Sequence, residues 1–283
     1  MGLGAIALWS TSVGTLRGIT EHLGATGGAA VLYTLSAALL LVLMKRTPLR
    51  AFPKAYLLLG AALFVGYQLC FALAVGLARN RTEAIEVGMV NYLWPSVTVV
   101  CSSLALHGRV GLVVLAGLAL AFMGVVLACM PEQGVSLSGF VAHAQGNPLS
   151  YGLAFGAAIT WALYSTATNR LAKGCNGLWL FMALSAGAFW TLHLLQPSTQ
   201  AMRWSWPAVG QVLLASAAVG SAYALWNLAL LRGRVDRLAL AANGTPLLSA
   251  LFASLWLSTT LPLMFWVGAA LVVLGSVVAA RGR

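Results

Sequence analysis

The chain is a succession of long apolar runs separated by short polar breaks. Ten of these runs approach the ~20 residues that an α-helix needs to cross the hydrocarbon core of a bilayer. They cover residues 2–20, 25–44, 54–78, 83–106, 109–130, 148–170, 175–195, 206–231, 235–257 and 261–280. The pattern predicts an all-α integral membrane protein with ten transmembrane helices. The longest polar stretch, Pro131–Asn147, is rich in Gly, Pro and Ser signals and is predicted to be a connecting loop.

Two prolines interrupt apolar runs at equivalent places. Pro95 lies midway along the fourth run, and Pro246 lies midway along the ninth, 151 residues later. Inside a helix, proline deprives the carbonyl four residues earlier of its hydrogen-bond donor, here the carbonyls of Asn91 and Ala242. Lipid cannot satisfy such a carbonyl, and duplicated broken helices are typical of the central site of transporters. We expect both prolines to act as hinges.

The two halves of the chain repeat one pattern. A shift of 151 residues superposes Pro95, Gly117 and Gly124 on Pro246, Gly268 and Gly275, and a shift of 152 superposes Trp9 on Trp161. Each half holds five apolar runs, so an odd number of crossings separates equivalent points and the halves are predicted to have opposite orientations. The expected organisation is a five-helix repeat over residues 1–130, a periplasmic connecting loop over residues 131–147, and a second five-helix repeat over residues 148–283.

The charges indicate orientation rather than a polyanionic partner. Hydrophobic residues make up 60% of the chain and charged residues only 7%, yet the net charge is +11. With both termini in the cytoplasm, twelve lysines and arginines lie on the cytoplasmic side and four (Arg17, Arg79, Arg81 and Arg203) on the opposite side. The positive-inside rule therefore predicts cytoplasmic termini in a bacterial inner membrane, and it explains the charge without nucleic acid.

The sequence offers little for catalysis, metals or cofactors. Its four cysteines form no CxxC pair, its four histidines are scattered over loops and helix ends, and no metalloprotease, nucleophile-elbow or phosphate-loop pattern occurs. The first apolar run lacks a basic leader and a small-residue cleavage pattern, so we expect it to be the first helix rather than a signal peptide. We predict neither an enzyme nor a cofactor, and a monomer in the bilayer.

The segments LWSTSVGTLRG (residues 8–18), GATGGAA (24–30) and NYLWP (91–95), together with the mid-helix prolines and glycine-spaced helices five and ten, resemble the drug/metabolite transporter superfamily, EamA type. Many members carry a glycine–glutamate pair after helices four and nine. This chain has His-Gly-Arg at 107–109 and Ser-Thr-Thr at 258–260 instead, so no role of that glutamate transfers to it. The resemblance implies a secondary transporter, most similar to exporters of aromatic amino acids.

Candidate substrate-binding residues surround the broken helices and form helical stripes of aromatic residues. The predicted set is Trp9, Tyr67, Gln68, Asn91, Tyr92, Trp94, Trp161, Tyr164, Tyr223, Trp226, Asn227 and Asn243. Such stripes are more often packing than a ligand box, and the Asn side chains have the alternative role of repairing broken backbone. Other aromatic residues near the ends of runs, including Tyr33, Tyr56, Trp204, Trp206 and Trp266, are predicted to form interfacial belts.

The expected substrate is a neutral or zwitterionic, largely apolar small molecule, because no Lys or Arg falls near the middle of a predicted span. Glu83 and Glu86 near the start of the fourth helix, with Arg79 and Arg81 close by, are interpreted as an interfacial ion-pair cluster in preference to a proton-linked gate. Two alternatives remain open. The first is a drug or nucleotide-sugar carrier of the same superfamily, and the second is a membrane enzyme or receptor that binds an apolar ligand.

Overall fold

The computed structural model describes residues 2–44, 47–130, 137–196, 201–232 and 242–282. The structure is 83% helical, without strands in the described ranges. The helices are α1 (Gly2–Ser10), α2 (Ser12–Leu23), α3 (Ala25–Leu43), α4 (Ala61–Gly76), α5 (Arg81–Asn91), α6 (Trp94–His107), α7 (Leu112–Ala128), α8 (Leu137–Gln145), α9 (Pro148–Leu171), α10 (Leu178–Leu195), α11 (Trp206–Arg232), α12 (Thr245–Trp256) and α13 (Leu263–Arg281). A π-helical stretch, Tyr56–Gly60, leads directly into α4.

Within the described ranges, six helical segments are long and apolar enough to cross a membrane. They are Ala25–Leu43, Tyr56–Gly76, Arg81–His107, Leu178–Leu195, Trp206–Trp226 and Leu263–Arg281. Two shorter apolar helices, Leu112–Ala128 and Thr245–Trp256, accompany them. Helix occupies the described part of every run that the apolar pattern singles out, so the prediction of an all-α membrane protein is confirmed at this level.

The fourth predicted helix is broken as its proline indicates. The helix α5 ends at Asn91, two residues of turn follow, and α6 begins at Trp94 with Pro95 in its first turn. The amides of Tyr92 and Leu93 donate to carbonyls only three residues back, at 3.0 and 3.1 Å. Proline suits the first turn of a helix, because its fixed φ fits there and its missing amide would have had no partner within α6 itself. The break therefore lies just before Pro95.

The first predicted helix is interrupted at Thr11, although it contains no proline. Its two parts, α1 and α2, meet at Thr11. The hydroxyls of Ser10, Thr11 and Thr15 all donate to backbone carbonyls three or four residues earlier, at 2.7–2.8 Å. Such bonds compete with the backbone ladder and bend helices. The corresponding helix of the second half, α9, runs unbroken for 24 residues.

Helices from the two halves of the chain pack against each other throughout. The helix α3 lies against α10, α4 lies against α9, and α11 lies against α1, α2 and α3. The two glycine-spaced helices, α7 and α13, form one of the most extensive contacts in the molecule. Fully buried Phe64, Phe181 and Phe189 lie in the core between these elements.

The contact between α7 and α13 depends on glycine. A Cβ at Gly117 would lie 2.6 Å from the Gly275 carbonyl oxygen, and one at Gly124 would lie 2.6 Å from the Val272 nitrogen. Real Cβ atoms do not approach backbone so closely, so only glycine lets these helices touch. Gly117 meets the C-terminal part of α13 and Gly124 its middle, which makes the two helices antiparallel.

Each glycine contact has a counterpart in the other half. Gly117 faces Gly275, and Gly268 faces Gly124. Adding 151 to the residue number of Gly117 and subtracting 151 from that of Gly275 turns the first contact into the second. The two helices therefore meet through the same surface, related by a local twofold axis perpendicular to them.

Polar contacts tie the loops together at one end of the bundle. The Arg81 guanidinium donates to Glu21 at 2.8 Å and to the Leu257 carbonyl at 2.9 Å, while Arg17 donates to the Ala78 carbonyl at 2.6 Å. The hydrogen bond from Arg81 lowers the pKa of the Glu21 carboxyl below its ordinary value, against the opposing effect of partial burial. We call this the Arg81 end; the Arg203 amide also lies there, bonded to the His22 carbonyl at 3.0 Å.

The opposite end of the bundle gathers other basic residues. The Arg170 guanidinium donates to the Ala105 carbonyl, and Cys175 bonds to the Ala51 carbonyl at 3.3 Å. The last described residue, Gly282, lies beside the start of α7 at this end. The structure thus separates Arg17, Arg79, Arg81 and Arg203 from Arg170 and the end of the chain.

Two sequence predictions are wrong. The stretch Pro131–Asn147 is not simply a loop, because it contains α8. Leu137, Phe140, Val141 and Ala144 follow the i, i+3, i+4, i+7 spacing of an amphipathic helix.

The second error concerns the proposed aromatic belts. Tyr33 and Tyr56 are only 3% and 2% exposed, so they belong to the core rather than to an interfacial belt. By contrast, Trp204 and Trp206 are 53% and 88% exposed, as a belt requires.

Candidate functional site

Aromatic side chains from five helices meet in the middle of the bundle. They are Trp9 (α1), Phe64 and Tyr67 (α4), Trp94 (α6), Trp161 and Tyr164 (α9), and Tyr223 and Trp226 (α11). We call these eight residues the aromatic cluster. Both halves of the chain contribute to it, which is what a site at a repeat interface needs.

Trp161 holds the aromatic cluster together. Its ring centroid lies 4.6 Å from that of Tyr67 and 5.3 Å from that of Tyr164. Trp94, three residues after the end of α5, meets it edge-on at 6.3 Å. Tilted and edge-to-face pairs at these distances are favourable through the ring quadrupoles. The broken helix and the unbroken α9 are therefore joined by direct ring contact.

Trp9, from the first half of the chain, contacts the aromatic cluster through two residues of α11. Its ring is 5.3 Å from Tyr223 and 5.1 Å from Trp226, both on α11. Trp9, Trp161 and Trp226 remain partly exposed, whereas Tyr164 and Tyr223 are buried. A site that binds a flat apolar group needs such rings at its surface, backed by buried ones.

A buried amide supplies polarity beside the rings. The Tyr33 hydroxyl donates to Gln68 Oε1 at 3.0 Å, and Gln68 Nε2 donates to the Tyr223 hydroxyl oxygen at 3.0 Å. Gln68 is only 2% exposed, so these two bonds replace hydrogen bonds to water that the amide loses on burial. The chain of bonds connects α3, α4 and α11 at the edge of the aromatic cluster.

The first helix break presents an unpaired acceptor. Asn91 is 3% exposed, and its Oδ1 has no partner among the described residues. The Tyr67 hydroxyl lies next to the Asn91 side chain, so this amide borders the aromatic cluster. The C-terminus of the half-helix α5 carries partial negative charge at the same place. Together they make a spot suited to an ammonium group.

The second helix break is arranged differently. The Thr245 hydroxyl donates to the Ala242 carbonyl at 2.6 Å, which satisfies the carbonyl that Pro246 would otherwise leave free. The residue in the same place of the first half is Trp94, which has no hydroxyl. The two breaks thus share a proline but differ in how the backbone is satisfied.

The structure brings together most of the predicted site. Trp9, Tyr67, Gln68, Trp94, Trp161, Tyr164, Tyr223 and Trp226 form or adjoin the aromatic cluster, Asn91 and Tyr92 lie at the first break, and Asn243 lies buried at the second. The side chain of Asn227 lies outside the described residues. Whether any of these residues binds substrate stays a prediction.

Sequence reasoning missed two participants. Phe64 contacts Trp161, Tyr164 and Tyr223, and Tyr33 holds Gln68. A signal for Phe64 was present, because residues 64, 67, 68 and 71 form one helical stripe. Tyr33 has no such signal, since its partner lies 35 residues away on another helix.

The acidic residues of α5 are more deeply buried than an interfacial cluster requires. Glu83 is 1% exposed and pairs with Arg79 at 2.9 Å. Glu86 is 7% exposed and accepts hydrogen bonds from the Tyr151 hydroxyl at 2.6 Å and from His143 Nε2 at 2.9 Å. The two carboxylates therefore have separate partners. Through His143, Glu86 anchors α8 onto α5.

A cavity of about 440 Å³ opens away from the aromatic cluster, toward the Arg81 end. Its polar wall includes Thr20, Thr26, His193 and Gln196, with the Thr26 hydroxyl 3.2 Å from both of the last two. No group of three His, Cys, Asp or Glu side chains that could hold a metal occurs in the described ranges.

A helical membrane protein with a broken membrane helix, and an aromatic cluster beside the break, is built as a transporter. Comparison with known proteins identifies its kind. A profile described as "EamA-like transporter family" matches residues 148–281. Similarity to curated members extends over almost the whole chain, and the protein belongs to the EamA-like transporter family.

Two curated relatives match almost the whole chain. The aromatic amino acid exporter YddG of Salmonella typhimurium is 42% identical over 276 residues, covering 98% of this chain and 94% of the relative. The exporter of the same name from Escherichia coli is 41% identical with the same coverage. These relatives are named exporters, not enzymes. One crystal structure has the same fold, with a TM-score of 0.65 and 23% identity over 99% of this chain and 96% of the other.

Proposed function

We propose that this protein exports aromatic and other hydrophobic amino acids, or related metabolites, across the bacterial inner membrane by alternating access. One observation carries the proposal. The aromatic cluster lies beside a broken membrane helix and is built from both halves of the chain. A substrate with a flat apolar ring would stack there, and its polar end would reach the buried amides. The names of the relatives support the same substrate class.

The proposed architecture has ten membrane helices in two inverted repeats of five, over residues 1–130 and 148–283. The reciprocal contacts of Gly117 with Gly275 and of Gly124 with Gly268 support it, because they relate α7 to α13 by a local twofold axis. The two equivalent breaks, before Pro95 and Pro246, support it too. An axis of this kind in the membrane plane gives repeats of opposite orientation.

Both chain termini are proposed to be cytoplasmic. The Arg81 end holds the four basic residues expected outside, and the opposite end holds Arg170 and the end of the chain. The connecting segment 131–147 would then be periplasmic. A reporter fused after Arg283 should be active only in the cytoplasm, and one inserted in segment 131–147 only in the periplasm. The reverse result would reject this orientation.

The proposed binding residues fall into two groups. The rings of Trp9, Tyr67, Trp94, Trp161, Tyr164, Tyr223 and Trp226 would hold the apolar part of the substrate. The side chains of Asn91, Tyr92, Asn227 and Asn243 would meet its polar groups directly, and Gln68 would act on them through the Tyr223 hydroxyl to which it donates. The Asn91 amide oxygen is buried without a donor among the described residues, and an ammonium group would supply one. Leaving a buried acceptor unpaired costs about 1–3 kcal/mol, so binding would recover part of that energy.

Export from living cells tests the proposal. Cells loaded with a dipeptide that contains phenylalanine hydrolyse it and accumulate the free amino acid. If the proposal is right, cells that express this protein release phenylalanine faster than cells that carry an empty vector. A matched dipeptide of lysine serves as the control, because none of the eight side chains of the aromatic cluster is a carboxylate that could neutralise a second ammonium group. Equal release of phenylalanine with and without the protein would reject aromatic amino acid export.

A further inference from the structure

Three buried polar side chains form a directed chain of hydrogen bonds. Tyr33, Gln68 and Tyr223 are 3%, 2% and 5% exposed, and they come from α3, α4 and α11. The Tyr33 hydroxyl donates to the Gln68 carbonyl oxygen, and the Gln68 amide nitrogen donates to the Tyr223 hydroxyl oxygen, each at 3.0 Å. The hydrogen bonds thus run in one direction, from Tyr33 on α3 through Gln68 on α4 to Tyr223 on α11.

This direction of donation leaves one hydroxyl hydrogen of the chain without an acceptor. A phenol hydroxyl has a single hydrogen to donate, and the Tyr33 hydroxyl donates its hydrogen to Gln68 Oε1. Tyr223 accepts from Gln68, so its own proton is not used in this chain. With the amide reversed, Tyr223 would donate to Gln68 and the Tyr33 proton would be left over. Tyr33 stacks on Phe189, with the two ring centroids 5.3 Å apart. The observed direction places the free proton on Tyr223 instead.

Tyr223 is also the member of this chain that belongs to the aromatic cluster. Its ring packs against Trp9 at 5.3 Å, Phe64 at 5.6 Å and Trp161 at 6.2 Å. Among the described ring contacts, Tyr33 meets Phe189 rather than a member of the aromatic cluster, and it is joined to the cluster through Gln68. Tyr223 is therefore the member of this chain of bonds whose ring would lie against a stacked substrate.

A free hydroxyl proton suits one part of an amino acid. None of the eight side chains in the aromatic cluster carries a charge, so an α-carboxylate there depends on neutral donors. A hydrogen bond to an ionised acceptor is about twice as strong as one between neutral groups. The ammonium group, which only donates, gains nothing from another donor.

We propose that the Tyr223 hydroxyl donates a hydrogen bond to the α-carboxylate of the substrate, and that Gln68 and Tyr33 are positioning residues that fix the direction of that donation. The proposal rests on the proposed export of aromatic amino acids and adds to it. It makes the carboxylate, as well as the ring, a requirement for tight binding. Tyr33 never touches the substrate, yet its hydroxyl contributes to selectivity.

Two ligands that differ only in the carboxylate test this role. L-Phenylalanine and phenethylamine share the ring and the ammonium group, but phenethylamine has no carboxylate. Their dissociation constants are measured on the purified wild type and on Tyr223→Phe, Tyr33→Phe and Gln68→Leu. Each Tyr→Phe change removes one oxygen and keeps the ring, so the packing is preserved. The decisive quantity is the dissociation constant of phenethylamine divided by that of phenylalanine, which is large when the carboxylate strengthens binding.

The wild type should bind phenylalanine more tightly than phenethylamine. Tyr223→Phe should weaken phenylalanine binding about ten- to a hundredfold, the worth of a hydrogen bond to a charged group, and leave phenethylamine nearly unchanged. Tyr33→Phe should lower the ratio in the same direction by a smaller factor, because Gln68 can then rotate. Tyr151→Phe is the matched control, because Tyr151 is a buried tyrosine whose hydroxyl donates to Glu86, outside the aromatic cluster and outside this chain of bonds, and this variant should leave the ratio as in the wild type.

Two results would overturn the proposal. One is a wild type that binds both ligands equally, and the other is a Tyr223→Phe variant that keeps the wild-type ratio. If Gln68→Leu does not fold, Tyr33→Phe still tests the positioning role, and an unchanged ratio in that variant removes it. Failure of the proposed function looks different, because cells that express the protein would then release phenylalanine no faster than cells with an empty vector, whatever the ratio of dissociation constants.

Discussion

At the scale of single residues, Trp161 decides whether the aromatic cluster is a binding surface or only packing. It touches Tyr67, Tyr164, Trp94 and Phe64, and it keeps part of its own surface accessible. Tryptophan is large and is seldom fully buried even in a core, so exposure alone does not separate the two roles. Trp161 contacts α4 and α6 and still leaves ring surface on which a substrate would stack.

Trp161→Ala should therefore impair substrate binding. Loss of one aromatic contact costs about 1–3 kcal/mol, which corresponds to about a 5- to 150-fold weaker affinity for phenylalanine. Trp161→Phe, which keeps a ring, should lose much less. Affinity is measured on purified protein, with Trp206→Ala as the control because Trp206 is 88% exposed at the surface. Normal affinity in folded Trp161→Ala protein would make the cluster a packing element.

The sequence predicts some of these residues and not others for a physical reason. Trp161 and Tyr164 share a helical face, so their proximity follows from spacing. The bond of Tyr33 to Gln68 joins two helices, and nothing in either helix reveals the register between them. The position of Tyr33 within its apolar run also gave no measure of its depth. Its burial depends on Phe189, which lies more than 150 residues away.

At the scale of the helix, the two breaks are equivalent in position and different in chemistry. The carbonyl of Ala242 receives the Thr245 hydroxyl at 2.6 Å. The Asn91 carbonyl has Trp94 in the corresponding place and therefore no such cap. Local hydrogen bonds therefore stabilise the broken conformation less at the first break than at the second. We expect the two hinges to differ in how readily they straighten.

Replacing each proline with alanine tests that difference. The new amide of Pro95→Ala can donate to the uncapped Asn91 carbonyl, so this variant should gain stability and lose turnover. In Pro246→Ala the new amide competes with the Thr245 hydroxyl, so the gain in stability should be smaller. Adding Thr245→Val to Pro246→Ala removes that competitor, and the double variant should behave like Pro95→Ala. Melting temperature, phenylalanine affinity and transport rate are measured on each variant.

The hinge account makes a specific distinction between rate and affinity. The side chains of the aromatic cluster are unchanged in these variants, so binding should weaken less than turnover. A transport rate equal to that of the wild type in both single variants would contradict a hinge at either proline.

The sequence predicts helix breaks more reliably than it predicts short helices or bends. Proline has one dominant effect on a helix, and both breaks lie within three residues of it. Three hydroxyls around the interruption at Thr11 donate to carbonyls three or four residues earlier, but hydroxyls in α9 do the same without ending that helix, so the sequence does not single out Thr11. The helix α8 was hidden by the Gly and Pro signals around it.

At the scale of the whole molecule, the crossing of α7 and α13 joins the two halves. The approach is so close that Cβ atoms at Gly117, Gly124, Gly268 or Gly275 would collide with backbone. Sequence spacing predicted that these glycines lie on one face of each helix. It did not predict that the two faces would meet each other, because spacing alone does not choose a partner.

Gly117→Ala should destabilise the protein by forcing α7 and α13 apart. The nearest obstacles to its Cβ are backbone atoms of Gly275 and Ala279, which cannot rotate away. Gly187→Ala is the matched control, since a Cβ there meets nothing within 4 Å. Alanine favours helix over glycine by about 0.5–1 kcal/mol, so the control should be neutral or slightly stabilising. The melting temperature of each variant in detergent separates the two outcomes, and equal values would mean that the crossing tolerates a methyl group.

The central claim is that this protein moves aromatic amino acids through a site made by both of its halves, and counterflow in proteoliposomes tests it most directly. Vesicles are loaded with unlabelled phenylalanine, and the entry of labelled phenylalanine is followed without any ion gradient. A transporter exchanges one molecule for the other, whereas a receptor or an enzyme without transport activity takes up no label beyond its own binding sites. We predict rapid uptake in the wild type, competition by tryptophan but not by lysine, and strong loss of uptake in Trp161→Ala. Vesicles that contain folded wild-type protein and take up no more label than empty ones would contradict the account.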